Sequence, residues 1–352
     1  QTCRQSGLSA VYTELLDFGG DEIYLRAFPE LTGKTYGETL SLFETSSVLG
    51  LKSKDGVKLN PPMDTLLRDG DELIAVTADD DTLLLNGTSA AIDESMFSSK
   101  PAEPAVPEQI LILGWNENAL LIIQELDHYV ADGSGITVVS DIADAKLALR
   151  RLERGLDHAN VKFVEEDITQ RSTLDALLSS DYPHIILLSD RSQEDVQKAD
   201  ANTLITLLHL RNIAETTGKQ FSIVSEMLDI RNRRLAEVAK VNDFIVSDTI
   251  ISLLISQVSE NNVLNAVFED IFDADGSEIY LKPVEAYVRT GEPVSFYAVI
   301  EAARRKGETA FGYKIAAESE SDKTAGGIHV NPAKSKPIRF AQGDRIVVAA
   351  ED

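Results

Sequence analysis

Cysteine is almost missing from this 352-residue chain, where Cys3 stands alone. A single thiol excludes an internal disulfide and any cysteine-based zinc site, and it suits a reducing compartment. Histidine is scarce too: His128, His158, His184, His209 and His329 show no metal-ligand spacing and no Ser-His-Asp or Cys-His arrangement. No apolar run reaches the roughly 18 to 20 residues of a membrane span, so a soluble region is expected. Basic residues are outnumbered, 33 against 58 acidic ones, for a net charge of −25. General affinity for nucleic acid or an anionic membrane surface is thereby disfavoured. The chain opens Gln1-Thr2-Cys3 with no Met and no signal-like stretch, which leads us to expect a piece of something longer. Without a secretory signal, the sequon at Asn86-Gly87-Thr88 reads as a turn.

What is present is organised around residues 109–141, which read as one βαβ unit. Ile110-Leu111-Ile112-Leu113 is a continuous apolar run of the kind a parallel sheet buries on both faces. Gly114-Trp115-Asn116-Glu117 turns into a helix whose Ala119, Ile122, Ile123, Leu126 and Tyr129 share one face. Asp132-Gly133-Ser134-Gly135 ends it, Ile136-Thr137-Val138-Val139 is the next strand, and Asp141 follows, placed to take a ribose hydroxyl. The turn departs from G-x-G-x-x-G, with Asn116 at the second place and Ala119 at the third. Asn tolerates the turn, but a side chain at the second place obstructs a pyrophosphate, so NAD is weakened as a ligand.

The doubly wound pattern continues. Strands are expected at 161–164, 185–188, 221–224 and 244–246, with helices at 143–156 and 199–213. Arg150, Arg151 and Arg154 read as a solvated face. In an open α/β sheet, ligands bind outside the carboxyl ends of the strands. Asp141, Asp167, Ser189, Asp190 and Glu226 map to that edge and join Gly114, Trp115, Asn116 and Glu117 as candidate ligand residues. Carboxylates converging there repel unless a cation or donor-rich ligand offsets the charge, so Asp167, Asp190 and Glu226 are candidate metal ligands. The competing reading is that loop carboxylates cap the following helices. Arg231-Asn232-Arg233-Arg234 could hold an anion or form an exposed helical face, and Asp273-Ala274-Asp275-Gly276 reads as a turn rather than a calcium loop.

An internal repeat brackets this unit. Glu22-Ile23-Tyr24-Leu25 is answered by Glu278-Ile279-Tyr280-Leu281, and Val48-Leu49-Gly50 by Ala310-Phe311-Gly312. Asn60-Pro61 is answered by Asn331-Pro332, and Gly70-Asp71 by Gly343-Asp344, in the same order. Each copy reads as a small α+β unit with a short helix, at 35–43 and 294–304, and Gly-Asp turns before its last strand. Residues 87–108, with Pro101, Pro104 and Pro107, read as a semi-extended linker. Residues 250–258 are apolar on nearly every side of a helix, which marks Ile250, Ile251, Leu254, Ile255 and Val258 as an expected subunit interface. A helix at 263–272 leads into the second copy and one at 8–18 into the first.

A Rossmann half, a crossover helix and a small α+β lobe present twice resemble the RCK (regulator of K⁺ conductance, TrkA-type) architecture, and within it the CASTOR/POLLUX-type ion channels. Ile112-Leu113-Gly114-Trp115, Ser189-Asp190 with Glu194-Asp195, Ser225-Glu226-Met227-Leu228-Asp229, Asp243-Phe244-Ile245-Val246-Ser247, Asn331-Pro332 and Gly343-Asp344 carry the likeness. The resemblance implies an α/β fold, a Rossmann-like doubly wound parallel sheet flanked by two small α+β lobes. It divides the chain into 1–86 (the C-terminal lobe of a first RCK domain), 87–108 (linker), 109–249 (the Rossmann lobe of a second), 250–272 (crossover helices) and 273–352 (its C-terminal lobe). It implies a non-enzymatic, ligand-sensing region at the cytoplasmic face of a membrane, assembled with itself as a dimer or tetrameric ring below a pore encoded upstream. Its ligand is expected to be Ca²⁺ or a nucleotide. The alternatives are a peripheral NAD- or nucleotide-binding subunit of a potassium transporter and, further off, an NAD-dependent oxidoreductase; against the latter, no His sits where a hydride-transfer acid is needed.

Overall fold

The first repeat builds an antiparallel sheet. After helix α1 (Leu8–Leu16) come β1 (Glu22–Ala27), the one-turn helix α2 (Tyr36–Thr39), β2 (Ser47–Ser53), β3 (Gly56–Leu59) and β4 (Glu72–Thr77), ordered β1-β4-β2-β3. A capping box starts α2: Glu38 N–H donates to the Thr35 hydroxyl at 3.3 Å, and Thr35 N–H donates to the Glu38 carboxylate at 2.7 Å. The helix expected over 35–43 stops at Thr39, because the chain then leaves the helical path and buries Leu40 and Phe43 in the core. The computed structural model describes residues 7–86, 92–98, 106–142, 144–191, 195–232, 243–272, 276–318 and 326–351.

Residues 103–252, with the first nine, form one compact unit, and 10–102 with 253–352 form another. The first is the Rossmann unit. Its elements are β5 (Gln109–Leu113), α3 (Ala119–Tyr129), β6 (Ser134–Val139), α4 (Ala145–Leu152), β7 (Ala159–Val164), α5 (Arg171–Leu177), β8 (His184–Leu187), α6 (Val196–Thr217), β9 (Ser222–Met227) and β10 (Asp243–Val246). All six strands are parallel, in the order β10-β9-β8-β5-β6-β7. The order reverses direction between β5 and β8, which places the switch point there. The continuous apolar strands follow from burial on both faces. Ile110, Ile112, Ile136 and Val138 pack with Ala119, Ile123, Leu126 and Leu149 on one side. Leu111, Leu113, Ile185 and Leu187 pack with Leu174, Leu207, Leu210 and Ile213 on the other.

The second repeat follows helices α7 (Ser247–Glu260) and α8 (Val263–Phe272). It comprises β11 (Glu278–Pro283), β12 (Pro293–Ser295), α9 (Phe296–Arg304), β13 (Thr309–Lys314), β14 (Ile328–Val330), β15 (Pro337–Arg339) and β16 (Arg345–Ala350). Its main sheet runs β11-β16-β13-β14, the same arrangement as the first. Even the irregularities repeat: the register slips at Gly50 in β2 and at Gly312 in β13. A Cβ at Gly50 would lie 2.5 Å from the Lys58 carbonyl oxygen, and one at Gly312 would lie 2.7 Å from that of His329. The Gly-Asp turns also match. Gly70 and Gly343 hold positive φ, while Asp71 and Asp344 accept the N–H of Arg68 and Ala341, each at 2.8 Å.

The two lobes share one hydrophobic core, in which Tyr36, Phe43, Val48 and Leu73 pack with Tyr287, Phe296, Val299 and Val348. Across the seam Asn60 Nδ2 donates to the Gly307 carbonyl at 3.0 Å and Asn60 Oδ1 accepts from the Thr309 hydroxyl at 2.7 Å. Its repeat counterpart mirrors this, since Asn331 Nδ2 donates to the Thr45 carbonyl at 2.8 Å and Asn331 Oδ1 accepts from the Ser47 hydroxyl at 2.9 Å. Among the described residues these two asparagines are the non-glycine positions with positive φ, at 40° and 46°. Asparagine tolerates that conformation, and its amide supplies both a donor and an acceptor. The segment expected as a semi-extended linker is packed in its middle: Ile92, Met96 and Phe97 lie against the shared core, and Phe97 bridges to Val288. Three apolar side chains within six residues were the overlooked signal.

Candidate functional site

The site is built where β5 and β8 deliver their carboxyl ends. Gly114 leaves β5 with φ of 89°, and a Cβ there would overlap the Leu188 carbonyl oxygen. Its N–H donates to Val139 at 2.9 Å, and Leu188 N–H donates to Leu113 at 2.8 Å, so the turn is clamped between three strands. Trp115, expected among the ligand-facing residues, is instead buried with the apolar core beneath the turn. An indole ring is too large and too apolar to remain at the polar rim when the core lies one residue away.

Asn116 and Glu226 meet in the crevice. Asn116 Nδ2 donates to Glu226 Oε2 at 2.7 Å and to the Ser189 carbonyl at 2.9 Å, while Ser189 N–H donates to Glu226 Oε2 at 3.2 Å. Arg191 closes the other side, its Nη2 donating to Glu226 Oε1 at 2.6 Å and its Nε at 3.2 Å. Glu117 stands 3.6 Å from the same guanidinium, and the Ser189 hydroxyl lies 3.1 Å from that of Thr203. The buried carboxylate is therefore satisfied by an amide, a backbone N–H and a guanidinium, as a buried charge must be. Asn116 Oδ1 also accepts the Asn118 N–H at 3.0 Å. That N–H stands at the start of α3, where a pyrophosphate would otherwise receive it. The residues present do not fit a dinucleotide: the second-glycine place is filled and its anion donor is already used.

The remaining candidates do not join this knot. Asp141 is exposed beyond β6. Asp167 turns back on its own loop, accepting from Thr169 N–H at 2.8 Å, the Thr169 hydroxyl at 2.7 Å and Gln170 Nε2 at 3.1 Å. The Thr169 hydroxyl holds its carboxyl below the usual carboxylate range, so Asp167 is committed to the loop ahead of α5. Asp190 is half-buried at the same edge. Among the described residues the one grouping of three ligand atoms within 4.8 Å is the exposed run Asp79, Asp80 and Asp81. Asp167, Asp190 and Glu226 thus do not converge as a metal centre: Asp167 is spent on its own loop and Glu226 on Asn116, Ser189 and Arg191. Arg231 pairs with its neighbour Asp229 at 2.6 Å; Arg233, Arg234, Glu194 and the Asp273 to Asp275 turn lie outside the described residues.

Sequence reasoning missed three supporting residues. Arg191 stands in the loop after β8, and a cation near a strand's carboxyl end beside an expected carboxylate was the available signal. Asp127 sits on the buried face of α3 and accepts backbone N–H groups of Asp157, His158 and Ala159 at 2.7, 3.0 and 2.7 Å. Burial alone would raise its carboxyl, but those three donors hold it below the usual range. Asp200 on α6 accepts from Leu228 N–H, Asp229 N–H and Asn232 Nδ2 at 2.9, 3.0 and 2.8 Å, fixing the loop that follows Glu226. On α7, Ile251 and Ile255 are exposed, Ile250, Leu254 and Val258 are half-buried, and Gln257 is buried, donating to the Leu16 carbonyl at 3.2 Å. The helix is therefore not apolar all round.

A family model described as Castor and Pollux, part of voltage-gated ion channel, matches residues 1–93. The ion channel POLLUX of Lotus japonicus is 29% identical over 388 residues, covering 99% of this chain and 41% of its own length. The ion channel CASTOR of the same plant is 28% identical over 390 residues, covering 100% and 44%. The chain thus spans about two-fifths of the length of these curated relatives. Among solved structures, the human SLO3 gating ring superimposes with a TM-score of 0.72 at 13% identity, covering 99% of this chain and 73% of that one. That likeness is one of fold. No described helix is long and apolar enough to cross a membrane.

Proposed function

From a chain similar along its length to the CASTOR and POLLUX ion channels, we propose a regulatory region that lies at the cytoplasmic face of a membrane and biases the gating of a cation pore. The reading is supported above all by the doubled lobe: two copies of one small fold share a core, and a Rossmann sheet is inserted between them in sequence. Its role is sensing rather than catalysis. The crevice at Asn116, Ser189, Arg191 and Glu226 is the sensing element. Glu226 is held by Asn116 and Arg191. A divalent cation would compete for the carboxylate, and a nucleotide's phosphate would compete for the guanidinium. Either ligand shifts the equilibrium only by its differential affinity for the opened knot.

Calorimetry and thermal shift with Ca²⁺, Mg²⁺, NAD, NADH, ATP and ADP test this. A ligand at about a hundred times its Kd adds roughly 2.7 kcal/mol of stability. We expect a response to a cation or a mononucleotide, none to NAD, and loss of the response in Glu226→Gln. A response that survives Glu226→Gln, or silence across the panel, removes the crevice from the sensing role.

The same reading makes the α7 face, with Ile251 and Ile255 exposed one turn apart, the contact for a second copy of the chain. Leu254→Glu should lower the oligomer's mass to that of the monomer in light scattering at micromolar concentration. A wild-type chain that is already monomeric there sinks the interface.

A further inference from the structure

The two seam asparagines make matching bonds on the two sides, but the side chains beyond them do not match. Three positions after each seam asparagine stand Met63 and Lys334. Their carbonyls do the same work, Met63 accepting the Gly37 N–H at 2.9 Å and Lys334 accepting those of Phe296 and Tyr297 at 2.9 and 3.3 Å. Their side chains differ in kind. Lys334 is 0% exposed, and its Nζ donates to Asn331 Oδ1 at 2.6 Å. Among the described residues no carboxylate lies within 4.0 Å of that nitrogen.

The charged groups facing it come from the first lobe: Asp21, just ahead of β1, and Glu44, between α2 and β2. Glu44 is occupied by other donors, accepting from Ser335 N–H and hydroxyl at 3.0 and 2.6 Å and from the Tyr297 hydroxyl at 2.9 Å. Asp21 is half-buried, and burial raises its carboxyl. In the repeat register these positions are Ser277 and Lys306. The buried amine with its two distant acids is thus confined to one half of the pseudo-symmetric seam, while the other half packs a methionine at the equivalent backbone position. The fold does not require an amine there. An ammonium stripped of water, with one amide oxygen for company, is costly.

The geometry points to Lys334 as a proton-operated element of the lobe seam, a neutral amine while the lobes are packed and an ammonium when they part. Burial pushes the Lys334 amine down to about 7, against the pull of Asp21 and Glu44. Its packed value lies below the 10.5 of an unburied lysine, so the packed seam binds fewer protons than the opened one. Stability contributed at this position is complete above the ordinary lysine value, declines as pH falls through the window down to about 7, and is flat below it. A fall in pH within that window loosens the grip between the lobes, independently of any ligand in the Rossmann crevice.

The test compares the melting temperature of the whole chain with those of Lys334→Met and Lys334→Arg from about pH 6.5 to 10. The methionine variant copies what the first lobe already holds. It should melt several degrees above wild type at pH 7, with the gap closing as pH approaches 10. The arginine variant, charged throughout, should melt below wild type, with its deficit growing as pH rises. A methionine gap independent of pH overturns the proposal, as does a methionine variant that melts below wild type throughout or fails to fold.

Discussion

Gly114→Ala should destabilise the Rossmann unit by about 3 to 5 kcal/mol, the sum of a positive-φ penalty and a backbone overlap that cannot relax cheaply. Gly114 holds φ at 89°, and its missing Cβ leaves room for the Leu188 carbonyl. That carbonyl lies immediately past β8 at the switch point, so yielding to a methyl group means spreading the ends of β5 and β8. Gly133 is the internal control. It has nearly the same φ, 86°, but nothing lies within 4 Å of the place its Cβ would take. Gly133→Ala should cost only the conformational part, about 1 to 2 kcal/mol. Urea denaturation of the two variants decides the matter. Equal losses would show that the close approach of β8 carries no energy.

Glu226→Ala should cost about 2 to 4 kcal/mol, because it removes at once the acceptor for the Ser189 N–H, for one Asn116 amide hydrogen and for the near side of the Arg191 guanidinium. The side chain of Arg191 remains 27% exposed, so water recovers part of its loss, which keeps the expected figure below that of a fully enclosed ion pair. Glu226→Gln retains the shape and one acceptor, and should lose about half as much. Guanidinium melts of both variants, read as midpoint shifts at constant slope, provide the comparison. A midpoint for Glu226→Ala within experimental scatter of wild type would mean that the knot is decorative.

How far the sequence could be read depends on the scale of the feature. Apolar runs such as Ile110 to Leu113 announce a buried parallel strand because both faces must be covered, and the repeated Gly-Asp and Asn-Pro pairs announce the same turn twice. The Gly114 turn was legible for the same reason: backbone geometry restricts the residue. Side-chain partnerships were not. Asp167 and Glu226 look alike in sequence, both acids at a strand's carboxyl edge, yet one caps its own loop and the other crosses to Arg191 and Asn116. The choice is made by which donors lie within reach after folding, and sequence spacing does not encode that. Asp127 and Asp200 were missed because a carboxylate inside an apolar helical face is unfavourable until the loop N–H groups it collects are in place.

The core shared by the two lobes also sets a clock. Tyr36 reaches Thr309, a partner 273 positions further along the chain. A ribosome adding about 5 to 20 residues per second needs roughly ten to fifty seconds to make the strands that complete this core. For that interval the apolar face of the newborn first lobe stands open to water, while the Rossmann unit emerges and can fold ahead of it. Contacts so distant in sequence also make the final docking slow. The vulnerable period in this protein's life is therefore its synthesis, when a chaperone has half a core to shield.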